Sequence, residues 1–76
     1  MDGRVMPGHL QVKPTDFRQE AGDYKIGTLR ILRTSHDWVL MDQTDTALDY
    51  FPTLKAAFSN YEVQHELHLL GVLGFL

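Results

Sequence analysis

The chain predicts a small α+β domain: an antiparallel sheet in ββ(β)αβ order with one short helix packed on one face. Three observations carry that reading. Short runs of apolar and β-branched residues at 28–34 and 38–42 flank the polar group Ser35-His36-Asp37. Leu54, Ala57 and Phe58 then recur at helical spacing. Finally Tyr61, Val63, His65, Leu67 and Leu69 alternate with Glu62, Gln64, Glu66 and His68. A period of two marks a half-buried strand, whereas spacings of three and four mark a helix.

The elements follow in order. Met6-Pro7-Gly8 reads as a turn, with proline fixing φ and glycine free to take a positive one. Residues 9–13 form a short edge strand that Pro14 ends. Thr15 or Asp16 caps a brief helical turn over 16–21, with Gln19 in the capping-box place, and Gly22-Asp23 closes it. Residues 1–26 are therefore expected to be an irregular N-terminal segment before a sheet-plus-helix core at 27–76.

Strands at 27–34 and 38–43 make a hairpin around their polar connection. Gln43-Thr44-Asp45-Thr46 is a second turn, followed by a short third strand at 47–51. Pro52 stops that strand, and Thr53 is a fitting N-cap for a helix over 53–60. The alternation afterwards predicts a last strand at 61–69. The alternative is a single helix over 53–70 packed on a three-stranded meander, against which stand Ser59-Asn60 at the change of pattern.

Seventy-six residues make one domain, 1–76, which buries only about 60 to 65% of its extended surface. Hydrophobic residues at 43% and charged residues at 22% are values of a folded chain and not of a disordered one. The absence of cysteine removes disulfides, thiolate metal sites and a cysteine nucleophile together. The longest apolar stretch, 69–76, has eight residues, against the ~20 that a membrane-crossing helix needs. No leader pattern is visible at the N-terminus, so the cytoplasm is the expected compartment.

The net charge is −3, and it is unevenly spread. Residues 1–34 hold six basic and four acidic residues, net +2, while residues 35–76 hold Lys55 against six acidic residues, net −5. A fold that keeps these halves apart presents one basic and one acidic surface.

The central hairpin is apolar on both faces. Leu29 and Ile31 lie opposite Leu32, while Trp38 and Leu40 lie opposite Val39 and Met41. One short helix covers one face only. The other must meet the N-terminal segment, a partner or a second copy, since soluble monomers rarely leave such a patch bare.

Other constellations are weaker. Ser35, His36 and Asp37 are the residue types of a hydrolase triad, but adjacent residues do not converge on one imidazole from two sides. His65 and His68 share a face with Glu62 only on a helix; on a strand His65 points inward, His68 outward, and no metal cluster forms. Asp42, Asp45 and Asp49 lack the spacing and the glycine of a calcium loop. Lys25, Arg30 and Arg33 offer nucleic-acid contacts, although an acidic chain with few basic residues argues against that use. No pattern calls for a catalytic residue, a cofactor or a metal.

The expected function is therefore that of a non-enzymatic interaction module that occupies a basic surface of another macromolecule, as an inhibitor or regulator of a nucleic-acid-binding protein would. Asp37, Asp42, Asp45 and Asp49 are the acidic candidates for that contact, and Trp38, Tyr50 and Phe75 the apolar ones. Self-association into a homodimer is expected alongside. The alternatives are nucleic-acid binding through Lys25, Arg30 and Arg33, and a metal-binding or minor enzymatic role for His65 and His68.

Overall fold

The computed structural model describes residues 10–75, with side-chain surroundings for 12–72. The turn expected at Met6-Pro7-Gly8 lies outside the described residues. Among the described residues there are six strands: β1 (Leu10–Val12), β2 (Tyr24–Ile26), β3 (Leu29–Arg33), β4 (Trp38–Met41), β5 (Ala47–Phe51) and β6 (Val72–Phe75). Two helices, α1 (Leu54–Phe58) and α2 (Tyr61–Leu69), separate β5 from β6. Strands β2 to β5 form an antiparallel meander, and β1 pairs with β6 in a separate parallel sheet. The α+β class and the small antiparallel sheet stand as the sequence predicts.

The hairpin of β3 and β4 matches the expected one, closing on the pair Arg33 and Trp38. Thr34 organises its turn, with its hydroxyl accepting from the amides of Asp37 at 2.9 Å and His36 at 3.3 Å. The next turn begins at Asp42, whose carbonyl accepts from Asp45 at 3.1 Å while Asp45 takes φ of +62°. That is the type I turn with a left-handed residue that commonly joins hairpin strands. β5 then pairs with β4, but the register slips between Leu40 and Met41 and leaves Leu48 without an opposite number.

Two expectations about the N-terminal segment need correction. Residues 1–26 are not irregular throughout, because β2 lies among them and pairs with β3 through Tyr24–Ile31 and Ile26–Leu29. The hairpin turn between them is Gly27-Thr28, with Gly27 at φ +59°. The helical turn expected over 16–21 occurs earlier, as a 3-10 turn at Pro14–Phe17, where proline suits the first helical turn. Asp16 holds that turn by accepting the Lys13 amide at 2.8 Å.

The larger correction concerns 61–69, which is helix and not strand. Asn60, read as a break, is the N-cap, and its side chain accepts from the Glu62 amide at 2.8 Å. Val63 and Leu67 are the buried residues, and they lie four apart, as one helical face requires. Tyr61, His65 and Leu69, the other members of the alternating set, are exposed. Glu, Gln and Leu also favour helix over strand. The strand expected at 61–69 is therefore absent from the antiparallel sheet, and β6 is a separate segment at 72–75 that pairs with β1.

The core lies between the sheet and the helices. Tyr24, Ile26, Leu29, Ile31 and Leu40 meet Ala57, Phe58, Val63 and Leu67, with Val72 of β6 joining them. The Tyr24 ring packs edge-on against Phe58 at 5.7 Å and against Trp38 at 6.0 Å, geometry that aromatic quadrupoles favour. α1 covers the sheet with Ala57, Phe58 and the partly buried Leu54, the residues its spacing selected.

A contact distant in sequence locks α2 to the β2–β3 turn. Glu66 Oε1 accepts from the Thr28 amide at 2.9 Å and from the Thr28 hydroxyl at 3.1 Å. A Cβ at Gly27 would push this carboxylate aside from Thr28, and the left-handed φ itself favours glycine.

Candidate functional site

Strand alternation divides the four-stranded sheet into a core face and an outer face. Since Tyr24, Ile26, Leu29, Ile31 and Leu40 belong to the core, Lys25, Arg30, Leu32, Val39, Met41 and Tyr50 occupy the outer face. They fall into two cross-strand rows. Lys25, Arg30 and Met41 form one, and Leu32, Val39 and Tyr50 form the other. Both described helices pack on the core side, where every helical member of the core cluster lies.

The apolar row is graded. Val39 in the middle is 9% exposed although it stands outside the core cluster, Leu32 is half-buried and Tyr50 is 59% exposed. Val39 is sheltered because its cross-strand neighbours stand on either side within contact range. Leu48, displaced by the bulge, adds further exposed apolar surface on β5.

Acidic residues do not gather into one patch. Asp42 and Asp45 share the β4–β5 turn and Asp49 lies on β5, while Asp37 sits in the β3–β4 turn. β4 separates the two turns by its four residues, roughly 13 Å. Asp37 is also engaged, accepting from the Thr34 hydroxyl. The Asp42 carboxyl is held below the usual carboxylate range, chiefly by the Thr44 hydroxyl at 2.7 Å. The amides of Thr46 at 3.0 Å and Thr44 at 2.8 Å add to that effect.

The basic trio is divided as well. Lys25 and Arg30 are cross-strand neighbours on the outer face, and Arg30 pairs with Asp45. Arg33 points the other way, with its guanidinium 5.1 Å from the centre of the Trp38 ring. Trp38 is thereby held between that cation and Tyr24, at the border of the core and not on the outer face. β6 includes Phe75, whose side chain lies outside the described residues.

Ser35 and His36 do meet, Oγ to Nδ1 at 2.8 Å, but Asp37 turns to Thr34 and does not orient the imidazole. His65 and His68 are exposed on α2 and not half-buried in a sheet. They line an open groove of about 700 Å³ between α2 and the β2–β3 turn, together with Tyr61, Glu62 and Glu66. Among the described residues no group of three His, Asp or Glu is placed to hold a metal ion. Glu66, the carboxylate nearest the histidines in sequence, is committed to Thr28.

Two features escaped the sequence reading. The Glu66–Thr28 contact spans 38 positions and has no local signature. The Asp49 carboxylate accepts the amide of Tyr50 at 2.8 Å, so this edge-strand N–H is satisfied without a further strand. No protein-family model matches the chain, and comparison with curated proteins and with solved structures finds no match. Among the described residues no helix is long and apolar enough to cross a membrane.

Proposed function

We propose that the protein is a non-enzymatic interaction module that docks a partner protein on the outer face of its four-stranded sheet. The observation that carries this reading is the apolar row Leu32, Val39 and Tyr50 on the side away from both helices. A contiguous apolar row rimmed by charge has the anatomy of a contact surface, with an apolar centre and a polar border. Tyr50 suits such a site, offering a large rigid ring and a hydroxyl. Asp42 and Asp45 lie in the turn that leads into β5 and Asp49 on that strand, while Lys25 and Arg30 stand at the other side of the face. A partner with basic groups toward the β5 edge is therefore favoured in encounter. Regulation or inhibition follows from occupying the partner's surface, with no chemistry required of this chain.

The test compares proteins retained from the native host by the wild type, by the double variant Leu32→Glu/Tyr50→Glu, and by Asp37→Asn. A partner held by the wild type and Asp37→Asn, lost with the double variant while circular dichroism is unchanged, supports the reading. Identical retention by all three contradicts it. Charge reversal at Asp42, Asp45 and Asp49 should weaken capture further at low salt than at high salt, because rim charges are screened.

A further inference from the structure

The two sheets treat their edges differently. β5 is an edge strand of the meander, and it carries two devices that discourage a further strand. Its bulge at Leu48 breaks the regular ladder, and Asp49 both places a charge on the edge and takes up the Tyr50 amide. Edge strands are commonly blunted in these ways, because unpaired N–H and C=O groups otherwise recruit another chain.

β6 has a different character. It reads Val72-Leu73-Gly74-Phe75, with no charge and no proline, and follows Leu69-Leu70-Gly71 directly. Such an unalternating apolar run is the pattern of a strand buried on both faces in the interior of a sheet. Yet among the described residues β6 has one strand neighbour, β1, in a parallel pair of only two strands. Two-stranded sheets are marginal alone, and parallel pairing is the weaker kind. Leu73 is the extra residue where the β1–β6 register shifts, so this strand does carry one irregularity, but nothing polar guards it. Close to it in sequence, Leu69 and Leu70 are 66% and 48% exposed at the end of α2.

We propose that β6 pairs edge to edge with β6 of a second copy, giving a four-stranded sheet in the order β1-β6-β6-β1. Symmetry supports the choice of occupant. A two-fold axis between identical edges makes the central pair antiparallel, and each copy presents the same patch to the other. In the centred register Val72 meets Phe75 of the copy and Leu73 meets Gly74, so no charge faces a like charge. A four-residue strand, with Leu69 and Leu70 shortly before it, buries less than the ~800 Å² per partner of a standard interface, so the dimer is expected to be weak and concentration-dependent. This contact is separate from the outer face of the meander and stands or falls without it.

The test is light scattering on the whole chain as it is concentrated through the micromolar range, combined with amide hydrogen exchange. The expected result is a mass rising from one chain toward two, with amides at 72–75 gaining protection as the mass rises. Leu73→Lys should return the mass to one chain, and Leu70→Glu, at an exposed position, should weaken the dimer while leaving the fold intact. A monomer at every concentration, with no change in exchange at 72–75, overturns the proposal. So does a dimer that survives Leu73→Lys and is lost in Leu32→Glu, since the copies then meet through the outer face. Should Leu73→Lys not fold, the exchange pattern of the wild type and Leu70→Glu decide the matter.

Discussion

The two faces of the four-stranded sheet draw on similar residues and put them to different use. Ile31 and Leu32 are neighbours in β3, and Val39 and Leu40 are neighbours in β4. Ile31 and Leu40 are fully buried under the helices, whereas Leu32 is half-buried and Val39, though buried, stands outside the core cluster. The difference teaches that apolar character in a strand reports burial only once its cover is known. α1 and α2 together supply Ala57, Phe58, Val63 and Leu67, and these are spent on one side. Among the described residues no helix covers the other side, which keeps the row Leu32, Val39 and Tyr50.

The sharpest way to break that comparison is a pair of truncations one residue apart. Ile31→Ala should cost about 3 kcal/mol of folding stability, because it opens a cavity in a closed core. Leu32→Ala should cost roughly 1 kcal/mol or less, since a half-exposed side chain gives up less apolar surface. Urea denaturation of both variants measures the contrast. Equal losses would mean that the outer face is as tightly covered as the core.

A smaller effect is expected where the helix layer is fixed to the sheet. Gly27→Ala should destabilise by about 2 kcal/mol, combining the left-handed backbone with displacement of Glu66. Glu66→Gln should cost about 1 kcal/mol, as it weakens the acceptor for the Thr28 amide and hydroxyl. If Gly27→Ala proves neutral in thermal unfolding, the contact between α2 and the turn is not the lock described above.

The smallest effect is electrostatic. Asp42 has a lowered carboxyl pKa in the folded chain, so its contribution to stability is present above the unfolded value of about 4 and is lost as pH falls through the folded value. The urea midpoint should therefore decline from about pH 4 downward, and Asp42→Asn should flatten part of that decline. An identical pH profile for the variant would show that the Thr44 and Thr46 contacts do not favour the ionised form.

How far these features could be read from sequence depends on how local their causes are. The β3–β4 hairpin was legible because alternation, β-branched residues and the polar turn all agree within one short stretch. The two-faced apolarity of that hairpin was legible for the same reason. α2 was not, because Val63 and Leu67 satisfy a period of two as readily as a spacing of four. Ser59 and Asn60 compounded the ambiguity: they read as one interruption, but they are the C-cap of α1 and the N-cap of α2, back to back. β2 was hidden by its three-residue length between Gly22 and Gly27. Of the candidate site, the closeness of Asp42 and Asp45 followed from one turn, while Asp37 fell at the far end of β4. The separation of Arg33 from Lys25 and Arg30 was implicit in strand parity; its stacking on Trp38 required the pairing of β3 with β4.

The central claim is that the outer sheet face stands open to solvent in the free chain. Methyl-resolved NMR with a soluble paramagnetic probe, on dilute monomer, measures it most directly. The expected result is strong relaxation of Leu32 and Met41, with Ile31 and Leu40 of the same two strands unaffected. Silence at all four residues would mean that the chain wraps its own sheet on both sides, and the docking surface would not exist.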